Sequence, residues 1–174
     1  VITVGDGTNH ILGGMGTDTI TAGTGPGVFL GDNGVVTYAG ATGAPALSRI
    51  VSTVPSEGGD DRITTGDGDQ HIVGGFGSDT ITAGAGDHVV FGDNGQADYD
   101  ADGAVLSLRT TDTVDHPEYG GDDVITVGET PAVTSWQATR WLHQSRPKCV
   151  AMSVIRIMGK GTKISPPGWS SRIF

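Results

Sequence analysis

Large apolar residues recur singly along this chain, each nine residues from the next within a run. Ile2, Ile11, Ile20 and Phe29 form one run, and Ile63, Ile72, Ile81 and Val90 form a second; Ile125 opens a third. Around each one, apolar and polar positions alternate with period two, as in ITV, TIT and HIV. That alternation predicts short strands rather than helices, each turning one side chain inward. The residues between the strands are dominated by glycine and aspartate, which predicts tight turns. A core built from one buried aliphatic per short strand suits stacked coils better than a two-layer domain.

The nine-residue register lies inside a longer repeat. Residues 2–34 align with 63–95 at an offset of 61 without a gap, and Tyr38 and Tyr99 keep that offset. GGDDVITVG at 120–128 matches GGDDRITTG at 58–66. The expected organisation is a first long repeat over 1–61 and a second over 62–130 that includes the start of a third. Segments 35–55 and 96–117 leave the register with alternating runs such as LSRIVSTV and AVLSLRTTDTV. They read as hairpin-like insertions between the coils.

Composition sharpens this picture. Of 174 residues, 30 are glycine, and aromatic residues are scarce, so a conventional core would be hard to fill. Residues 1–130 hold all 20 acidic side chains and only Arg49, Arg62 and Arg109 as bases. Such an acidic surface excludes nucleic acid as a partner and calls for neutralisation by cations. Residues 131–174 have no acid, seven bases, all three tryptophans and the single cysteine, Cys149. This stretch reads as a basic, non-native or irregular tail. One cysteine permits no disulfide within the chain. No apolar run is long enough to span a membrane. The chain opens in mid-repeat with VITVGDG, so the lack of an N-terminal leader carries no weight.

The chemistry concentrates in GGMGTDTIT at 13–21 and GGFGSDTIT at 74–82. Both fit Gly-Gly-x-Gly-x-Asp-x-U-x, where U is a large aliphatic residue. Glycines permit a tight turn with outward carbonyls. The aspartate adds a hard anionic oxygen, and carbonyl and carboxylate oxygens are what Ca2+ prefers. The pattern resembles the calcium-binding nonapeptide of the RTX, or haemolysin-type, repeat. That resemblance implies an all-β fold, a parallel β-roll (a β-solenoid) with Ca2+ in its turns. It also implies export from a bacterium and service to other domains of a larger parent protein. The expected ligands are Asp18, Asp61, Asp79 and Asp123, with the turn glycines Gly13, Gly14, Gly16, Gly74, Gly75 and Gly77. Asp61 and Asp79 fall on one side in consecutive turns, with Asp60 adjoining. Asp18 is expected to lack a partner, because no turn precedes it. The GDNG motifs at 31–34 and 92–95 either complete a second site through Asp32 and Asp93 or form plain Asn-Gly turns. On the opposite side the aspartate position holds Asn9, Gly27, Gln70 and His88, a weaker setting in which Asp67, Asp69 and Asp87 are displaced.

Catalytic signals are sparse. There is no G-x-S-x-G, no H-E-x-x-H and no phosphate-binding loop. His10 and His71 sit at equivalent positions facing outward, either as surface residues or as general bases beside a calcium-bound water. The second reading would make the protein a Ca2+-dependent hydrolase of esters or lactones, such as acyl-homoserine lactone signals. A third is an adhesive or ice-binding surface built on Thr19-Ile20-Thr21 and Thr80-Ile81-Thr82. Intervening strands HIL, VFL, HIV and VVF are expected to interrupt that threonine array.

Overall fold

The structure is a computed structural model. It describes residues 1–41, 43, 45–111 and 116–128, together with the backbone of 133–138 and 154–159. The described chain is all-β apart from one 3-10 turn at Pro117–Tyr119. In chain order the strands are β1 (Ile2–Thr3), β2 (Asn9–Leu12), β3 (Thr19–Thr21), β4 (Gly27–Leu30), β5 (Gly34–Ala39), β6 (Ala46–Ser52), β7 (Arg62–Thr64) and β8 (Gln70–Gly75). There follow β9 (Thr80–Ala83), β10 (Val89–Asp93), β11 (Gly95–Tyr99), β12 (Val105–Thr110), β13 (Val124–Val127), β14 (Val133–Ala138) and β15 (Val154–Gly159).

The strands of the nine-residue repeat sort alternately into two parallel ladders. The first runs β1-β3-β7-β9-β13, in register through Ile2, Ile20, Ile63, Ile81 and Ile125. The second runs β2-β4-β8-β10, in register through Ile11, Phe29, Ile72 and Val90. These side chains meet in one core, where Ile20, Ile63, Ile72, Ile81 and Val90 are wholly buried. A one-residue slip would turn every one of them outward, so the burial fixes the register.

The two insertions leave this stack and join each other. β5 pairs β6, β11 pairs β12, and β6 pairs β11, giving a four-stranded antiparallel sheet ordered β12-β11-β6-β5. Its inner face covers the outer face of the second ladder. Val28, Leu30, Val73, Val89 and Phe91 from the ladder pack there with Ile50, Ala97 and Tyr99 from the insertions. Three layers result, with the second ladder in the middle. The expected parallel pairing is thus found within the two ladders, while the sheets taken together are mixed parallel and antiparallel. The six-stranded sheet also ends antiparallel, with β15 on β10 and β14 on β15. Beyond those two backbone strands, the reading of 131–174 as a non-native or irregular tail lies outside the described residues.

The expected interruption of the threonine array is also corrected. HIL, VFL, HIV and VVF belong to the second ladder, so they never separate strands of the first. Thr3, Thr21, Thr64, Thr82 and Thr126 align in one unbroken row on the outer face of the first ladder. The companion row reads Thr19, Arg62, Thr80 and Val124. Among the described residues no helix is long and apolar enough to cross a membrane.

Candidate metal centre

On one side of the stack, four turns lie one above another and end in Asp18, Asp61, Asp79 and Asp123. Two of them are contiguous: Gly13–Asp18 and Gly74–Asp79. The other two are cut by the insertions. Gly31 lies against Asp61 Oδ2 and Gly92 against Asp123 Oδ2, as Gly74 lies against Asp79 Oδ2 and Gly13 against Asp18 Oδ2. Gly31 and Asp32 thus open a turn that Gly58-Gly59-Asp60-Asp61 closes after the first insertion. Gly92 and Asp93 open another, closed by Gly120-Gly121-Asp122-Asp123. Read this way, each cut turn fits the nonapeptide with Asp in place of its second glycine. The contiguous units starting at Ser56 and Glu118 do not fit.

Successive aspartates are tied together. Asp18 N–H donates to Asp61 Oδ1 at 2.7 Å, Asp61 N–H to Asp79 Oδ1 at 2.7 Å, and Asp79 N–H to Asp123 Oδ1 at 2.9 Å. Asp18 therefore has a partner, contrary to the sequence expectation, because the chain resumes directly above it after the first insertion. Above Asp79 stands Asp123 rather than Asp93.

In Asp61, Asp79 and Asp123 one carboxylate oxygen is thus used, and the other is not. Oδ2 of Asp61, Asp79 and Asp123 is buried with no hydrogen-bond partner. Burial of an unpaired carboxylate is costly. It pushes Asp79 up to about 9 and Asp61 and Asp123 up to about 6, from an ordinary value of 3.8. At Asp79 the neighbouring carboxylates of Asp123 and Asp61 add to burial, while the Asp61 N–H opposes it.

Backbone oxygen lies at the same spots. A methyl group on Gly74 would strike Asp79 Oδ2 and Gly92 O, one on Gly31 would strike Asp61 Oδ2 and Gly74 O, and one on Gly13 would strike Asp18 Oδ2 and Gly31 O. The glycines leave open a cradle of carboxylate and carbonyl oxygen. Among the described residues no three His, Cys, Asp or Glu side chains converge on a metal position. Hard backbone oxygens supply the remainder, a donor set suited to Ca2+ and not to Zn2+. Gly14, Gly16, Gly75 and Gly77 adopt positive φ of 97°, 88°, 121° and 106° within these turns.

The remaining expected residues divide. Asp32 Oδ2 accepts the Phe76 N–H at 2.6 Å and Oδ1 the Gly59 N–H at 3.2 Å, so both its oxygens pin the mouth of the insertion. Burial nevertheless raises Asp32 to about 7. Asp93 Oδ1 accepts the Gly121 N–H at 3.1 Å in the equivalent place. Asp60 is exposed and accepts the Ser78 N–H at 2.8 Å. His10 is hydrogen-bonded to the Tyr38 hydroxyl (2.9 Å) and His71 to that of Tyr99 (2.8 Å). His71 lies between the second ladder and the insertion sheet, and burial lowers it to about 4.

Residues 1–28 and 64–96 match the family model of the RTX calcium-binding nonapeptide repeat, which spans four copies. These segments are similar to RTX repeats. RTX nonapeptide repeats bind Ca2+. The matched segments contain Asp18 and Asp79 and stop short of Asp61 and Asp123, which belong to the two cut turns. The stacking assigns the cut turns to the same column. Neither the curated proteins nor the solved structures gave a match.

Proposed function

We propose that the two ladders form a parallel β-roll whose folding is coupled to Ca2+ held between the turns of Asp18, Asp61, Asp79 and Asp123. The roll serves as a calcium-dependent structural module of a secreted bacterial protein, supporting other domains of a larger parent. One observation carries the reading: the buried, partnerless Oδ2 atoms of Asp61, Asp79 and Asp123 line up in successive turns. Without a cation these groups oppose folding; with one they become ligands, and metal affinity becomes folding free energy. Release into a calcium-rich medium would switch such a module from unfolded to folded. Far-UV circular dichroism with EGTA tests this. The roll signal should collapse on chelation and return with Ca2+; a spectrum unchanged by chelation would refute the proposal.

The other two readings gain less. His10 and His71 each hold a tyrosine hydroxyl, which does not favour general-base chemistry in a hydrolase. Arg62 and Val124 interrupt the companion row of the outer threonines, so a flat hydroxyl array is one row wide. That does not favour an adhesive or ice-binding face.

A further inference from the structure

The turns on the opposite side of the stack are closed by different atoms. At the position where the first column has aspartate, this column has Asn9, Gly27, Gln70 and His88, brought together by the pairing of β2, β4, β8 and β10. Gln70 and His88 are wholly buried. Their side-chain N–H groups point at turn carbonyls. Asn9 Nδ2 donates to Gly5 O (3.0 Å) and Gly7 O (3.1 Å). Gln70 Nε2 donates to Gly25 O (2.8 Å) and Gly66 O (3.5 Å). His88 Nε2 lies 2.9 Å from Gly84 O while its Nδ1 faces the Gln70 N–H at 3.3 Å, which sets the neutral ring with hydrogen on Nε2.

We propose that this second column is closed without Ca2+, the side-chain N–H groups of Asn9, Gln70 and His88 taking the place of the cation, so that the roll is loaded on one side only. The inference rests on the calcium reading proposed above. A carbonyl that receives an N–H has its charge met by a neutral donor, and no desolvated anion is left over. The two partnerless buried oxygens of this column, Thr65 Oγ1 and Gln70 Oε1, are neutral. The column's acids lie outside it. Asp6, Asp67 and Asp69 are exposed, and each ties one turn to the next by accepting a backbone N–H, from Thr24 (2.7 Å), Ala85 (2.8 Å) and Asp87 (2.8 Å). A Ca2+ ion entering would displace N–H donors and find no buried carboxylate, whereas in the first column it meets carboxylates that already lack a partner.

The test uses the full chain loaded with Ca2+. An anomalous difference map should show ions only between the turns of Asp18, Asp61, Asp79 and Asp123. The bound-ion count by calorimetry and native mass spectrometry should rise by at least one ion in the Gln70→Asp, His88→Asp double variant. Anomalous peaks between turns 65–70 and 83–88 of the unmodified protein would overturn the inference and leave the calcium reading standing. A count that does not rise in a folded double variant would also overturn it. If that variant does not fold, the map on the unmodified protein decides. A protein that binds no Ca2+ at all would overturn both.

Discussion

Acidity should stabilise this protein when Ca2+ is absent and destabilise it when Ca2+ is present. The perturbation is chelation with EGTA across pH 4.5 to 8. A carboxyl whose folded-state pKa lies above its unfolded value holds its proton more tightly in the fold. Its contribution is complete below the unfolded value, about 4, and is lost as pH rises through the folded value. That value is about 6 for Asp61 and Asp123, about 7 for Asp32 and about 9 for Asp79. Each pH unit across such a window removes about 1.4 kcal/mol per group. Asp79, 1% exposed, is the firmest case. Between pH 4.5 and 8 it alone removes about 3–5 kcal/mol, allowing for water that reaches the open turn. Against a domain stability of about 5–15 kcal/mol, that is enough to unfold a marginal metal-free chain near neutrality. Calcium reverses the sign, because only the carboxylate is a ligand and protons compete with the metal. The assay is urea unfolding followed by far-UV circular dichroism at pH 4.5, 6 and 8, in EGTA and in millimolar Ca2+. The midpoint should fall with pH in EGTA and rise with pH in Ca2+. A metal-free midpoint that is flat or increases toward pH 8 would refute the reasoning.

Further outcomes follow from single positions. Asp79→Asn keeps an acceptor for the Asp61 N–H but removes the buried charge, so it should weaken Ca2+ binding about tenfold or more while leaving the EGTA midpoint at pH 8 equal or higher; calorimetry and urea unfolding read the two halves. Gly74→Ala places a methyl group against Asp79 Oδ2 and Gly92 O and should abolish calcium-induced folding, whereas Gly5→Ala, with open space around it, should be neutral in the same titration. Ile63→Ala empties the middle of the first ladder, where the side chain is wholly buried, and should cost about 3 kcal/mol in Ca2+-loaded urea unfolding. Tyr99→Phe removes the hydroxyl bound to His71 and should cost about 1 kcal/mol with no change in the bound-ion count.

Much of the core is legible in the amino-acid sequence. The nine-residue spacing of Ile2, Ile11, Ile20 and Phe29, and of Ile63, Ile72, Ile81 and Val90, predicts inward-facing apolar positions, and period-two alternation predicts that each strand is short. Placing Asp61 and Asp79 in adjacent turns needed only the same count. What the chain order concealed was any contact spanning an insertion. Gly31 and Asp61 complete one turn although 29 residues separate them, and no local motif links them. Counting the unit contiguously from Ser56 hides the fit and leaves Asp18 without a neighbour, and the Asn-Gly motifs alone do not show that Asp32 and Asp93 accept backbone N–H groups at the mouth of each insertion. The threonine row was missed for a related reason: strands adjacent in sequence alternate between two ladders, so neighbours in space are eighteen residues apart or more. The joining of two insertions through β6 and β11 is a tertiary event that neither hairpin's pattern encodes. The tyrosines at the 61-residue offset were the one visible hint that each insertion folds back onto its own outward histidine.

The cut turns separate two dimensions of this molecule. Each further nonapeptide pair lengthens the stack by one strand spacing, about 4.8 Å, whatever its neighbours contain. Each excursion leaves between Asp32 and Gly58, or between Asp93 and Gly120, and re-enters the same turn, so it adds girth on one flank and nothing to the length. A foreign segment with closely spaced ends, spliced at either cut, would be held at its root by the pinning aspartate while the rungs above and below kept their pitch. The chain thus works as a ruler with side brackets: tandem units set how far it reaches, and the brackets set what it carries at each graduation.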